Sequence, residues 1–349
     1  VSSNIKSGIN KFKGSPPGVI RDSVVRFYLP KHSQADQVIL SGAFSDWSET
    51  ALPMTKTDSG WIYDVPLTAG KHWYKFIVDG EWILDPNNQI RETDTEGNVN
   101  NIYFQPNHKF VLKNFQNARQ VSVAGSFNNW HAGVLKLFKT AEGWELPVYL
   151  ADGTHTYRFI VDGKWMADPD NKEKLPNEFN DFNSVIKLGK AYIFSLDGYT
   201  DAKKVAIAGS FNGWRKDEYF LEKTVKGWVL PMHIAAGNYE YQIWVDGRQL
   251  KSNRRNGNMS FVVGANYEFR LKAFPNAKEV YLSGDFNDWS PSGLQMEKVN
   301  DEWVIQVHLS PGKHLYKFVV DGQWIIDPAN KWWEQNEHGT GNSVMWFPR

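Results

Sequence analysis

Apolar residues occupy alternate positions along most of the chain. Tyr74, Phe76 and Val78 alternate in this way before Asp79. The same pattern returns twice, at Tyr157/Phe159/Val161 and Tyr316/Phe318/Val320. Alternation over short runs, with no helical periodicity, predicts β-strands. Each run ends in Asp-Gly, which predicts a two-residue hairpin because a type I′ turn needs positive φ at both turn positions.

A second signal is a motif, Gly-x-Phe-x-x-Trp, that occurs four times. In each copy a further tryptophan follows at one fixed interval, and an Asp-Gly pair follows that tryptophan at a second fixed interval. The motif tryptophans are Trp47, Trp130, Trp214 and Trp289, the later tryptophans are Trp61, Trp144, Trp228 and Trp303, and the Asp-Gly pairs begin at Asp79, Asp162, Asp246 and Asp321. Identical spacing without insertions indicates a fourfold internal repeat.

The repeat sets the domain organisation. The distance between successive motif tryptophans leaves room for one small domain in each copy. Short strands separated by frequent turns predict β-sandwiches, so we expect an all-β chain of four tandem Ig-like modules. The predicted segments are a leader or linker (1–17), module 1 (18–107), module 2 (108–189), a degenerate module 3 (190–264) and module 4 (265–349). The links between modules are short, which favours fixed contacts between neighbours.

The hairpin register predicts which side chains share a face. Around Asp79-Gly80 it pairs Ile77 with Trp82, so Lys75 and Trp82 lie on the face opposite Tyr74. We expect this cation and this indole together on the exposed face, and likewise the pairs Arg158/Trp165 and Lys317/Trp324. An exposed indole beside a cation suits a sugar ring, which stacks on the indole while its hydroxyls accept hydrogen bonds. The alternative is an indole that covers a sheet edge or packs on the next module, with a cation that only extends to solvent.

Module 3 provides an internal comparison. It keeps Trp214, Trp228 and the Asp-Gly turn, but it has Gln242 in place of the cation and Gln249 in place of the second indole. It also lacks the Asp-Pro that follows the hairpin in the other modules. The fold therefore does not require the indole and cation, which favours a functional role for them. Trp228 and its equivalents are predicted to be core residues, whereas the pattern leaves the class of Trp214 open.

Composition excludes several function classes. The 39 Lys+Arg equal the 39 Asp+Glu, so the formal net charge is zero and a nucleic-acid partner is not expected. The chain has no cysteine, which excludes disulfides, thiolate metal sites and thiol catalysis. No apolar run reaches the roughly 20 residues that span a bilayer, so no membrane insertion is expected. The missing cysteines and the Val1 start favour an extracellular or cell-envelope location.

Three segments of module 1 carry a resemblance to a known family: Val38-Ile-Leu-Ser-Gly-Ala-Phe-Ser-Asp-Trp47, Tyr74-Lys-Phe-Ile-Val-Asp-Gly-Glu-Trp82-Ile-Leu-Asp-Pro86 and Gly97-Asn-Val-Asn100. They resemble carbohydrate-binding module family 48, which includes the glycogen-binding domains of AMP-activated protein kinase β subunits. The resemblance extends over all four repeats and implies an early-set Ig-like sandwich that binds α-glucans such as glycogen or starch.

The resemblance also implies which residues contact sugar: two tryptophans, a lysine and an asparagine near the last strand. By motif these are Trp47, Lys75, Trp82 and Asn100 in module 1; Trp130, Arg158, Trp165 and Asn183 in module 2; and Trp289, Lys317, Trp324 and Asn342 in module 4. Arg158 stands where the family has lysine. Module 3 matches only at Trp214 and Asn258, so these two are weaker candidates.

Two hypotheses remain for the function. The first is a non-catalytic, multivalent α-glucan-binding protein or the binding region of a larger protein. The second is a structural or adaptor array whose modules contact protein partners in an envelope assembly. An enzyme is not expected, because the repeats leave no space for a barrel hydrolase and no catalytic motif occurs. No cofactor or metal is expected either, since an acidic loop such as Asp94, Glu96 and Asn98 is usually solvated.

Overall fold

The computed structural model describes residues 6–14, 17–94, 96–252 and 257–347. Within these residues the chain forms 36 β-strands and four short 3-10 helices, and no α-helix. No helix of this part of the chain is long and apolar enough to cross a membrane. The prediction of an all-β chain is confirmed.

The first strand, β1, comprises Ser7–Gly8. Module 1 contains β2 (Gly18–Arg21), β3 (Val24–Pro30), β4 (Val38–Gly42), η1 (Ala43–Ser45), β5 (Thr55–Lys56), β6 (Gly60–Pro66), β7 (Gly70–Val78), β8 (Glu81–Ile83), β9 (Arg91–Thr93) and β10 (Val99–Gln105). Module 2 contains β11 (His108–Lys113), β12 (Val121–Gly125), η2 (Ser126–Asn128), β13 (Leu135–Lys136), β14 (Phe138–Lys139), β15 (Gly143–Leu150), β16 (Gly153–Val161), β17 (Lys164–Met166), β18 (Lys174–Pro176) and β19 (Phe182–Leu188).

The second half repeats this order. Module 3 contains β20 (Ala191–Asp197), β21 (Val205–Gly209), η3 (Ser210–Asn212), β22 (Tyr219–Phe220), β23 (Glu222–Lys223), β24 (Gly227–His233), β25 (Gly237–Val245), β26 (Arg248–Gln249) and β27 (Met259–Val263). Module 4 contains β28 (Tyr267–Leu271), β29 (Val280–Gly284), η4 (Asp285–Asn287), β30 (Leu294–Gln295), β31 (Glu297–Val299), β32 (Glu302–Val307), β33 (Gly312–Val320), β34 (Gln323–Ile325), β35 (Trp333–Gln335) and β36 (Gly341–Phe347).

Each module consists of two antiparallel sheets. In module 1 one sheet has the order β2-β3-β6-β5, and the other has the order β4-β7-β10-β9 with β8 paired to β7. We call the second sheet, which contains the Asp-Gly hairpin, the hairpin sheet. Its counterparts are built on β16, β25 and β33. Two packed antiparallel sheets per module give the Ig-like sandwich that the repeat pattern predicts.

The core lies between the sheets. In module 1, Phe27 from one sheet meets Tyr74 from the hairpin sheet edge-on at 4.8 Å between ring centroids, and both are fully buried. The later tryptophan of each repeat is also buried, and its Nε1 donates to a backbone carbonyl 29 residues earlier. Burial of a large ring with its one polar group satisfied stabilises the sandwich, so the prediction of these tryptophans as core residues is confirmed.

The Asp-Gly turns adopt the predicted conformation. Asp79 has φ 49° and Gly80 has φ 86°, both in the left-handed region. The carboxylate of Asp79 accepts hydrogen bonds from the backbone N–H groups of Asp36 and Gln37. The corresponding aspartates of the other repeats do the same, so the side chain ties each hairpin to the loop before the adjacent strand.

The chain divides into two compact units, one holding modules 1 and 2 and the other modules 3 and 4. In the first unit β1 pairs with the end of β15, with Ser7 opposite Leu150. The side chain of Asn10 exchanges two hydrogen bonds with the backbone of Phe104, at 2.8 Å each. The predicted module boundaries, and the assignment of 1–17 as a leader or linker, stay predictions; residues 1–5 and 15–16 lie outside the described part.

Candidate functional site

Three modules present a pair of tryptophans with the same geometry. The rings of Trp47 and Trp82 have centroids 6.3 Å apart and are inclined at 48°. The other two pairs are Trp130/Trp165 at 6.3 Å and 41°, and Trp289/Trp324 at 6.4 Å and 46°. Since each pair joins a residue of the turn after the 3-10 helix to a residue of the hairpin strand, the agreement shows that each of these modules builds the same surface feature.

The first ring of each pair is oriented by a loop with an unusual backbone conformation. Trp130 follows Asn129, and both have positive φ, at 58° and 51°, which few non-glycine residues adopt. Its N–H donates to the carbonyl of Gly125, which closes the turn. A Cβ at Gly125 would lie 2.3 Å from the carbonyl oxygen of Thr156, so only glycine fits there. The turn therefore explains the glycine of the Gly-x-Phe-x-x-Trp motif, while the tryptophan keeps its place at a strained backbone position.

The second ring of each pair stands on the hairpin. Trp82 lies opposite Ile77 in the β7–β8 ladder, as the register predicts, and Ile77 is buried. Trp82, Trp165 and Trp324 keep 38%, 43% and 45% of their surface exposed. Their exposure confirms the prediction that these three indoles face outward.

The cations differ from the prediction. Lys75 is only half-buried, whereas Arg158 and Lys317 are buried, so the prediction that all three cations are exposed is wrong. The hairpin register does place each cation on the same face as its indole, as predicted. In modules 2 and 4 the loops 177–181 and 336–340 supply acceptors for these cations. Lys317 Nζ donates to Thr340 Oγ1 at 2.9 Å, and burial lowers the pKa of this ammonium.

Arg158 is the most constrained of the three cations. Its guanidinium donates to the carbonyls of Phe182 and Trp165 and to the carboxylate of Asp181. Lys75 Nζ, in contrast, makes no hydrogen bond or ion pair with a described residue. The three sites therefore share their aromatic geometry and differ in how free the cation is to meet a ligand.

The candidate asparagines sit at the base of the loops near the last strand. Asn100 and Asn342 are buried and Asn183 is half-buried. Asn100 Nδ2 donates to Asp94 at 3.1 Å, while Asn183 and Asn342 accept from Asn177 and Asn336. Each asparagine is thus oriented by the residue six positions before it.

The carboxylate of Asp94 accepts hydrogen bonds from its own loop. Its Oδ1 accepts the backbone N–H groups of Glu96 and Asn98. The pKa of Asp94 lies below its ordinary value. Burial alone would raise this pKa, but the hydrogen bonds from Asn98, Asn100 and Glu96 outweigh the effect of burial. Within the described residues, no three His, Asp or Glu side chains are grouped to hold a metal ion.

Module 3 lacks the pair. Trp214 is 39% exposed, and in the described part of the chain no second tryptophan lies against it. Gln242 Nε2 donates to Asn258 Oδ1 at 2.6 Å, so the two polar residues at the cation and asparagine positions bind each other.

Sequence reasoning missed two features of these sites. The loop residue Asp181 neutralises Arg158, and Phe179 in the same loop is 80% exposed. The equivalent positions carry different residue types in modules 1 and 4, so comparison of the repeats gives no signal for them. The hydroxyls of Ser41 and Ser283 are a further surprise: both are buried beside Lys75 and Lys317 and make no hydrogen bond with a described residue.

Three segments of the chain match a known family. Residues 27–111, 108–195 and 267–346 match the family model AMPK1_CBM, described as the glycogen recognition site of AMP-activated protein kinase. Similar relatives include the AMP-activated protein kinase subunit beta-1 of Sus scrofa (42% identical over 66 residues, 19% of this chain and 52% of the relative). The beta-2 subunit of Mus musculus is 46% identical over 52 residues, 15% of this chain and 19% of the relative. The matched segments span about half or less of these relatives.

Among solved structures, a maltogenic amylase from S. marinus aligns with 52% of this chain and 31% of its own, at 13% identity and a TM-score of 0.23. At this TM-score the likeness supports no inference about the present protein. The family model, however, covers well over half of the sequence. The chain therefore belongs to the family of the glycogen recognition site of AMP-activated protein kinase.

Proposed function

We propose that this chain is a non-catalytic, multivalent α-glucan-binding protein, or the binding region of a larger protein, with sites in modules 1, 2 and 4. The observation that carries the proposal is the tryptophan pair, which recurs in three modules with nearly the same ring separation and inclination. Module 3 has a sandwich without the pair, so the fold alone does not account for it. Membership of a glycogen-recognition family supports an α-glucan as the ligand.

The geometry of the pair suits an α-linked glucan. A pyranose ring offers an apolar C–H face that stacks on an indole. An α-linked chain curves, so consecutive glucose rings present their faces at an angle to one another, as the two inclined indoles do. Each stacked ring contributes on the order of 1–2 kcal/mol, by comparison with other aromatic contacts.

Polar groups beside the rings would fix the sugar hydroxyls. Lys75 lies on the same face of the hairpin sheet as Trp82, and its Nζ has no partner among the described residues. Asn100, Asn183 and Asn342, at the starts of β10, β19 and β36, are each oriented by a hydrogen bond to the preceding loop. A few fixed donors and acceptors around an apolar platform are typical of small-molecule sites.

The carboxylates around the sites support a binding role rather than hydrolysis. Glycosidases use two carboxylates that flank the scissile bond. Here Asp181 is engaged by Arg158, and Asp94 accepts hydrogen bonds from its own loop. Asp85 is buried and accepts from Tyr74. We therefore expect no release of reducing sugar from glycogen by the pure protein above a buffer control.

Affinity electrophoresis in gels that contain glycogen or amylopectin tests the proposal. The wild type should be retarded, and the Trp82→Ala, Trp165→Ala, Trp324→Ala triple variant should migrate as it does in a gel without glucan. Trp332→Ala is the matched control, because Trp332 is 77% exposed in module 4 but belongs to no pair of this kind among the described residues. A folded triple variant retarded as much as the wild type would contradict the platform assignment. A wild type without retardation would favour the adaptor array instead.

A further inference from the structure

Module 3 contacts the loop of module 4 that carries Trp289. Asn238, in β25, donates to the carbonyl of His308 at 2.8 Å and to that of Phe286 at 3.4 Å. His308 N–H donates back to Asn238 Oδ1 at 2.9 Å. Phe286 is the phenylalanine of the module 4 motif, so one end of the Trp289 loop is attached to module 3.

The other end of the same loop meets Glu240. A Cβ added to Gly293 would lie 2.7 Å from the carboxyl carbon of Glu240. Gly293 does not have the positive φ that makes glycine necessary elsewhere. Because Gly293 has no side chain, the carboxyl group of Glu240 can lie this close to the loop.

Glu240 is itself held by module 3. Asn258 Nδ2 donates to Glu240 Oε1 at 3.4 Å, and Asn258 Oδ1 accepts from Gln242 at 2.6 Å. Gln242 and Asn258 occupy the positions of the cation and the asparagine in the other modules. The residues that correspond to a sugar site here form a chain of hydrogen bonds that ends at Glu240, whose carboxyl group lies against Gly293 of the module 4 loop.

The equivalent loop of module 2 is held at one end only: Ser7 Oγ donates to the carbonyl of Phe127 at 3.1 Å. Val134 occupies the position of Gly293, next to the paired strand that follows the loop, and it is 54% exposed. The contact of Glu240 with Gly293 therefore has no counterpart at the exposed Val134 of module 2.

We propose that Glu240, held by Asn258 and Gln242, is a positioning residue for the Trp289 loop of module 4. Glu240 fixes one end of this loop, and Asn238 fixes the other. Module 3 would then contribute to glucan binding without a tryptophan pair of its own. This inference rests on the proposed function of module 4. Its physical basis is that Trp289 lies between the two fixed points, Phe286 and Gly293, so its indole is ordered before the ligand arrives and less entropy is lost on binding.

The test uses the full chain with Trp82→Ala and Trp165→Ala, which leaves module 4 as the remaining site with an intact pair. Calorimetric titration with maltoheptaose should show about fivefold weaker binding after Glu240→Ala, because one ordering contact is lost. Glu240→Gln should restore most of the affinity, since the amide oxygen still accepts. Glu222→Ala, an exposed glutamate of module 3, is the matched control and should change nothing.

Hydrogen exchange of the ligand-free protein gives a second readout. Glu240→Ala and Gly293→Val should each speed exchange in residues 285–294 at least fivefold, while the equivalent residues 126–135 stay unchanged. Unchanged exchange and unchanged affinity in Glu240→Ala would overturn the proposal. If the background protein binds no maltoheptaose, the proposed function fails for module 4, and the exchange rates still decide whether Glu240 holds the loop.

Discussion

The carboxylate of Asp181 accepts a 2.6 Å hydrogen bond from Nη2 of Arg158, directly beside the tryptophan pair of module 2. This hydrogen bond holds the pKa of Asp181 below its ordinary value, so the carboxylate is ionised at neutral pH. Nη1 of Arg158 donates to the carbonyl of Phe182, and its Nε is buried without a partner among the described residues. The cation of module 2 is therefore already hydrogen-bonded before a ligand arrives, whereas Lys75 in module 1 has no partner in the described part of the chain.

This difference predicts a gain of affinity on removing the carboxylate. In a full chain with Trp82→Ala and Trp324→Ala, Asp181→Ala should strengthen maltoheptaose binding about two- to fivefold, because Nη2 becomes able to donate to a sugar hydroxyl. Calorimetric titration measures the change. The parallel control is Asp170→Ala, an exposed aspartate of the same module. Weaker binding by Asp181→Ala would show that the ion pair supports the site rather than competing with the ligand.

Removing the buried hydrogen bond between Tyr157 and Asp168 should lower the stability of the protein without weakening glucan binding. Tyr157 Oη donates to Asp168 at 2.6 Å, and Asn171 donates to the same hydroxyl. Tyr157→Phe leaves Oδ2 of the buried Asp168 without its donor, while Oδ1 keeps the N–H of Asp170, and should lower the free energy of unfolding by roughly 1–3 kcal/mol. Denaturant titration measures this, with Tyr199→Phe as the exposed control. Glucan affinity should be unchanged, since Tyr157 points into the core.

The hairpins and the buried tryptophans could be predicted from sequence because both depend on local rules. Asp79 and Gly80 adopt the positive φ that an Asp-Gly turn requires, and Trp61 has an equivalent at the same interval in every repeat, module 3 included, as a core residue should. The exposed position of Trp82 follows from the same register.

The contacts between distant segments could not be predicted in this way. The pairing of Ser7 with Leu150 joins residues far apart in sequence, and no local pattern specifies it. The burial of Arg158 depends on a loop whose residues differ between repeats. The approach of Glu240 to Gly293 depends on the packing of two modules, so neither residue type alone indicates it.

His314 predicts a pH-dependent contribution to the stability of module 4. Burial lowers its pKa, but the hydrogen bond and charge of Asp285, with the carbonyl of Ser310, outweigh burial and raise the pKa above its ordinary value. The folded state therefore binds this proton more tightly than the unfolded state. The resulting stabilisation is complete below the unfolded pKa of about 6.5 and is lost as the pH rises through the folded pKa.

Asp285→Asn tests this assignment. The difference in Tm between wild type and variant should be largest near about pH 5.5 and should shrink towards about pH 8, because only the charged imidazolium gains from the carboxylate. Ser126 occupies the equivalent position in module 2, so Ser126→Asn is a matched control without a pH-dependent effect. A difference of constant size across this range would show that the carboxylate acts through its hydrogen bond to the N–H of Leu315 instead.

The last prediction concerns the number of sites. A half-exposed tryptophan pair buries little of a sugar, so a single site should bind with a Kd of about 0.1–1 mM, or about −4 to −5.5 kcal/mol. When one site holds a long polymer, binding at the others becomes intramolecular, and avidity gains about 10²–10⁴.

Full-length chains with two of the three platforms replaced by alanine leave one site each. Wild type should bind glycogen far more tightly than any of these, while maltoheptaose affinity per site stays the same. Equal glycogen affinity per site in the wild type and the single-site variants would show that the sites act independently and that their repetition has another cause.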